Sequence, residues 1–123
     1  QTDAAGNVTT ITGTWTRDAT APVPTITSPA ANFAAQTSIT LAGACETGLN
    51  VAISGTGVLS PISVPCAAGA YSQVVYFSAG DGAKSISVAQ TDGAGNVGSA
   101  TRSFTCDSTP PALAQTTLAS PYY

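Results

Sequence analysis

The sequence predicts an all-β sandwich of about seven strands, cut from a tandem array. Three observations predict it. More than half of the 123 residues are Ala, Gly, Ser or Thr, while Leu, Met, Glu, Lys and Arg are scarce, so the chain lacks helix formers. Its apolar residues are rich in Val and Ile and come in short bursts bounded by Gly, Pro, Asn and Asp, the pattern of pleated, half-buried strands. Finally, the 22 residues QTDAAGNVTTITGTWTRDATAP from Gln1 return from Gln90 as QTDGAGNVGSATRSFTCDSTPP, with 12 identities at an offset of 89. A period near 89 residues is the size of one small sandwich.

Composition also bounds function. Charged residues make up 7% of the chain, three basic against six acidic, and no basic stripe can be assembled to neutralise phosphates, so no nucleic-acid partner is expected. A disordered linker would share the low charge, but 43% hydrophobic residues argue for a packed core. Histidine is absent, which removes the commonest general base and metal ligand. No apolar run reaches membrane-spanning length, so this segment is not expected to insert in a bilayer.

The repeat frame divides the chain into residues 1–19, the tail and linker of a preceding unit; 20–107, a complete unit; and 108–123, a linker and the opening of a following unit. Beginning inside a repeat and without a signal peptide, the chain reads as an internal or processed segment of something longer. In the complete unit a first strand is expected over 24–27. The second, 38–45, puts Ile39, Leu41, Gly43 and Cys45 on one face. A turn at Glu46, Thr47 and Gly48 leads to a third strand over Asn50–Ser54, and 55–61 reads as a loop. The fourth, 62–66, aligns Ile62, Val64 and Cys66. The fifth, 71–78, can face two ways, which suits a strand packed on both sides or bent by a bulge. The Gly-rich turn 79–82 precedes a sixth strand at 84–91, and the loop 92–96 turns the chain into the seventh, Val97–Cys106. Seven strands in one repeat make an immunoglobulin-like sandwich the expected fold. Val97 and Phe104 lie seven residues apart, so a regular strand puts them on opposite faces. Either a bulge near residues 100–102 restores one face, or one of the two looks outward.

The duplicated TDAAGNV and TDGAGNV, each followed by a last strand and then by RDATAP or CDSTPP, resemble the bacterial Ig-like repeats of large surface and secreted adhesins. The resemblance covers residues 20–107 and implies a stalk or spacer module on the bacterial cell surface or outside the cell. Its partners would be neighbouring repeats of the same polypeptide or copies of the same chain. It also implies calcium at some junctions. In an up-and-down strand order the loop 92–96, the turn at Glu46 and the incoming linker share one end, so Asp18, Asp92, Asn96 and Glu46 are the candidate calcium ligands, all hard oxygen donors. The competing reading is local: Asp and Asn in a Gly-rich turn bond their own backbone, and Asp before Thr-Pro shapes a linker.

Three cysteines imply an oxidising compartment. Cys45 and Cys66 close alternate strands of a meander and can meet in a disulfide. Cys106, replaced by Arg17 in the preceding repeat, ends the seventh strand at the opposite pole and is expected to be unpaired or intermolecular. Lys84 reads as an exposed solubilising residue, with an isopeptide bond to Asn or Asp as the sharper alternative. Catalysis is not expected, since the carboxylates sit singly in turns and linkers. The sequon Asn7-Val8-Thr9 reads as fortuitous because its counterpart, Asn96-Val97-Gly98, lacks the hydroxyl. Val8, Ile11 and Trp15 belong to the last strand of the preceding unit, so they are expected to be contacts between units and not part of the 20–107 core. Two further functions stand beside the spacer: a fibre subunit completed by strand exchange between copies, and a carbohydrate- or protein-binding module using Tyr71, Tyr76 and Phe77.

Overall fold

A computed structural model describes residues 1–114 of the chain. The strands are β1 (Ala34–Ala35), β2 (Ser38–Ala44), β3 (Asn50–Ser54), β4 (Ile62–Pro65), β5 (Ala70–Tyr76), β6 (Gly82–Thr91) and β7 (Val97–Cys106). They form two sheets, one ordered β1-β7-β6-β3-β4 and one pairing β2 with β5. The fold is therefore an all-β sandwich.

The strand order is not the up-and-down meander expected. Only β3–β4 and β6–β7 are consecutive neighbours, and the chain crosses between sheets after β1, β2, β4 and β5. The inward residues Ile39, Leu41 and Gly43 of β2 and Val51 and Ile53 of β3 belong to opposite sheets, so these consecutive strands lie across the core from one another instead of side by side. The core between the sheets holds Leu41, Val51, Ile53, Val75, Ile86, Val88 and Phe104, each almost wholly buried, and among the described residues the core cluster lies between Ile26 and Cys106.

The first strand takes an unexpected form. Residues 24–27 run beside β2, with Thr25 N–H donating to the Ala44 carbonyl at 2.9 Å and Thr27 N–H to that of Ala42 at 2.8 Å. The Ala44 N–H goes to Thr25 Oγ1 instead of its carbonyl, and Thr27 and Ser28 N–H both go to the Ala42 carbonyl, so the segment makes only a single bridge, Ser28 to Ala42, and no continuous ladder. The chain then changes sheet, and β1 pairs in parallel with the end of β7. Two residues of Ala carry no strand signature, which is why β1 is invisible in the sequence.

The bulge expected near residues 100–102 does not form. β6 and β7 pair without interruption from Gly82–Cys106 to Thr91–Val97. The other alternative holds: Phe104 is buried and Val97 is exposed. β5 is likewise regular, pairing β2 from Ser38–Tyr76 to Ala44–Ala70, with Tyr71 and Val75 inward.

Candidate functional site

The two ends of the sandwich differ. The disulfide end carries the loops 45–49, 66–69 and 92–96 together with the incoming linker, because β2, β4 and β6 all finish there. Cys45 and Cys66 are disulfide-bonded, with Cα atoms 6.0 Å apart, and so tie the two-stranded sheet to the far edge of the other. The meander that suggested this pair is wrong. The two residues share an end because β4 runs antiparallel to β3, which begins at that end.

The loop 92–96 is a closed hydrogen-bonded unit. Asp92 Oδ1 accepts from the N–H groups of Ala94 (2.9 Å) and Asn96 (2.8 Å), and Asn96 Nδ2 donates to Asp92 Oδ2 at 2.8 Å. Gly95, at φ 90°, makes the turn that returns its N–H to the Asp92 carbonyl. The matching stretch from Gln1 builds the same object: Asp3 accepts from Ala5 N–H, Asn7 N–H and Asn7 Nδ2 at 2.9, 2.9 and 2.8 Å, Gly6 stands at φ 87°, and Thr2 bridges Val8. The Asn side chain is the largest influence holding each carboxyl below the usual Asp range.

Asn96 also reaches the linker, its Nδ2 lying 3.2 Å from the Asp18 carbonyl and 3.5 Å from that of Thr20. Asp18 Oδ1 accepts from Thr20 N–H at 3.0 Å. Asn96 thus joins Asp92 to the backbone of Asp18 through one amide donor. Glu46 lies at the same end, and its backbone is held by Gln90: Glu46 N–H donates to Oε1 at 2.9 Å and the Glu46 carbonyl accepts from Nε2 at 3.1 Å. Among the described residues, no three His, Cys, Asp or Glu side chains gather closely enough to hold a metal ion.

The opposite end carries Cys106, Asp81 and the outgoing linker. Cys106 is buried, its thiol free, with Sγ 3.1 Å from the Gln36 carbonyl. It lines an open groove of about 320 Å³ with the exposed Tyr76 and Leu59 and the linker residue Ser108. Asp81, which the sequence reading passed over as a turn residue, accepts from Ser108 N–H at 2.9 Å, from the Ser108 hydroxyl at 2.5 Å and from the Thr109 hydroxyl. The Ser108 and Thr109 hydroxyls and the Ser108 N–H hold its carboxyl down at about 2. A depressed carboxyl adds stability that is present above the unfolded-state value near 3.8 and is lost as pH falls through about 2. Carboxyl carbon shifts followed against pH should show Asp81 titrating near 2 in the intact chain. In Thr109→Val the midpoint should rise toward 3.8.

Other sequence readings need correction. Lys84 is 6% exposed, not a solubilising surface residue, and its Nζ donates to Ser78 Oγ at 3.2 Å and the Ala79 carbonyl at 3.0 Å. An isopeptide bond needs a carboxyl or carboxamide against Nζ, and these contacts are a hydroxyl and a peptide carbonyl. Of the three aromatics considered as a binding face, Tyr71 and Phe77 are core and Tyr76 is exposed. The Tyr71 hydroxyl donates to the Thr25 carbonyl at 2.8 Å, and burial pushes its pKa up to about 12. Val8, Ile11 and Trp15 are 68%, 92% and 94% exposed, outside the core. Residues 115–123 of the expected following unit lie outside the described residues. Among the described residues no helix is long and apolar enough to cross a membrane. Set against known proteins, the chain matches no family model and no curated sequence.

Proposed function

We propose that the chain is a structural spacer from a bacterial surface adhesin or fibre. Its units stack in tandem to hold a distal binding region away from the cell. The carrying observation is the exposure of Ile11 and Trp15. At the repeat offset they correspond to Ala100 and Phe104 on the inward face of β7, where Phe104 is buried. They are core residues of a sandwich other than the one this chain completes. The Gln1–Val8 hairpin, with the same hydrogen bonds as Thr91–Val97, supports the same reading. The disulfide favours an oxidising, extracellular setting.

The spacer role needs no catalytic group, only ends that stack. Strand exchange between copies would instead complete a unit from residues 1–19 of one copy and 108–123 of another, and mass growing with concentration in light scattering would favour it. Calcium at the junction would have to share the Asp92 carboxylate with the three donors now bound to it. A calcium-dependent rise in melting temperature that disappears in Asp92→Ala would assign the ion there.

Small-angle scattering from chains of one, two and three units tests the spacer. The maximum dimension should grow by a constant increment of roughly 40 Å per unit, a ten-residue strand plus its loops. Compaction into a globule, with no linear growth, would overturn the proposal.

A further inference from the structure

The unit holds a linker at each end, and the two linkers are copies of one another. Asp18, Ala19 and Thr20 correspond at the repeat offset to Asp107, Ser108 and Thr109. Both copies fold alike, the first residue's Oδ1 accepting from the third residue's N–H at 3.0 Å in one and 3.3 Å in the other. They are gripped through different groups. Asn96 takes the carbonyls of Asp18 and Thr20. Asp81 takes the Ser108 N–H and the Ser108 and Thr109 hydroxyls.

In a tandem array one such linker serves both neighbours, leaving one unit and arriving at the next. The groups Asn96 uses and the groups Asp81 uses do not overlap. Among the described residues, the Ala19 N–H and the Thr20 hydroxyl, the counterparts of groups held by Asp81, donate to no acceptor. The linker is also short. Four residues, 18–21, separate Arg17, the counterpart of the last residue of β7, from Pro22, whose carbonyl packs against Gly98. The five steps from Arg17 to Pro22 span at most about 18 Å, so consecutive units abut.

We infer that each inter-unit linker is clamped from both sides. Asn96 of the following unit holds its carbonyls, and the Asp81 counterpart of the preceding unit holds the second residue's N–H and the third residue's hydroxyl. The surface around Asp81 is thereby an interaction surface for a second copy of the repeat, with Asp81 as its positioning residue. Where the preceding linker carries Ala19 in place of Ser108, one hydroxyl is lost and the Thr20 hydroxyl and Ala19 N–H remain. The inference rests on the tandem reading and deepens it: a linker held on both faces transmits orientation, so the array is a stiff rod.

The test uses a two-unit chain, residues 1–108 continued in register by 20–123, compared with Asp81→Ala in the first unit, Asn96→Ala in the second, and Thr109→Val in the single chain. Nitrogen relaxation should give the wild-type linker order parameters of about 0.85, and both sandwiches should share one alignment tensor. Either clamp substitution should drop the linker below about 0.6 and separate the two tensors. Thr109→Val should loosen Ser108 and Thr109, and the strand amides of both sandwiches should keep their wild-type shifts in every variant, which guards against a variant that merely misfolds. Unchanged linker order and a shared tensor in Asp81→Ala would overturn the clamp. The tandem reading fails by a different signal, the absence of extension with unit number.

Discussion

Replacing Cys45 and Cys66 together by alanine is expected to lower the unfolding free energy by about 3 kcal/mol, the cost of releasing a loop of this length in the chain-entropy account. The sequence separation is 21, and the Cα separation of 6.0 Å is ordinary for a disulfide, so little native strain offsets the gain. For a sandwich of this size such a loss should move the thermal midpoint down by roughly 12–24 °C. The effect is large because of where the bond sits. β2 shares its sheet with β5 alone, and the sheets meet through side chains of modest size, so the disulfide reinforces the two backbone crossings, 45–49 and 66–69, that join them at that end. Chemical denaturation of the double variant, beside wild type with and without reductant, checks the value. Cys106→Ala is the comparison: it removes one buried sulfur and no crosslink, and should cost about 1 kcal/mol. A double variant that loses no more than Cys106→Ala would show that packing, not the crosslink, holds the two sheets.

What the sequence revealed was what period and repetition encode. The alternation of Ile39, Leu41 and Gly43 named the inward face of β2. The repeat offset placed Ile11 and Trp15 outside the core. Strand order was not legible, because alternation reports which face is buried and not which strand lies alongside. The same parity rule, pressed further, would have caught Lys84 and Gln90: both share the inward face with Ile86 and Val88, and both are buried. Their polar character masked it. Each is tolerated because its polar atoms find partners, Lys84 at Ser78 and Ala79, Gln90 at the Glu46 backbone. The linker grip of Asp81 was hidden for another reason. It joins residues 27 apart in sequence, across the end of the fold, and an Asp between two glycines otherwise reads as a turn.

Gly43→Ala is expected to destabilise the unit by about 3 kcal/mol or more, although a single methyl in a strand usually helps. Gly43 lies on β2 where residues 24–27 cross it, and a Cβ there would overlap the Thr25 carbonyl and press on the Tyr71 ring. The atoms that must give are backbone on one side and a buried aromatic on the other, so no rotamer change relieves the clash. Relief requires the segment to lift from β2. That lift would break the Thr25 N–H bond to Ala44 and the Thr27 N–H bond to Ala42, and leave the buried Tyr71 hydroxyl without the Thr25 carbonyl. It would also expose Ile26, which is 5% exposed in the native state. The lost bonds and burial together exceed what one added methyl contributes. Gly93→Ala supplies the control, since a Cβ there meets nothing within 4 Å, and it should stay within about 0.5 kcal/mol of wild type. Equilibrium unfolding of both variants decides the matter. If Gly43→Ala proves as mild as Gly93→Ala, residues 24–27 are not seated on β2, and the linker that Asn96 holds would lose the anchor that gives it direction.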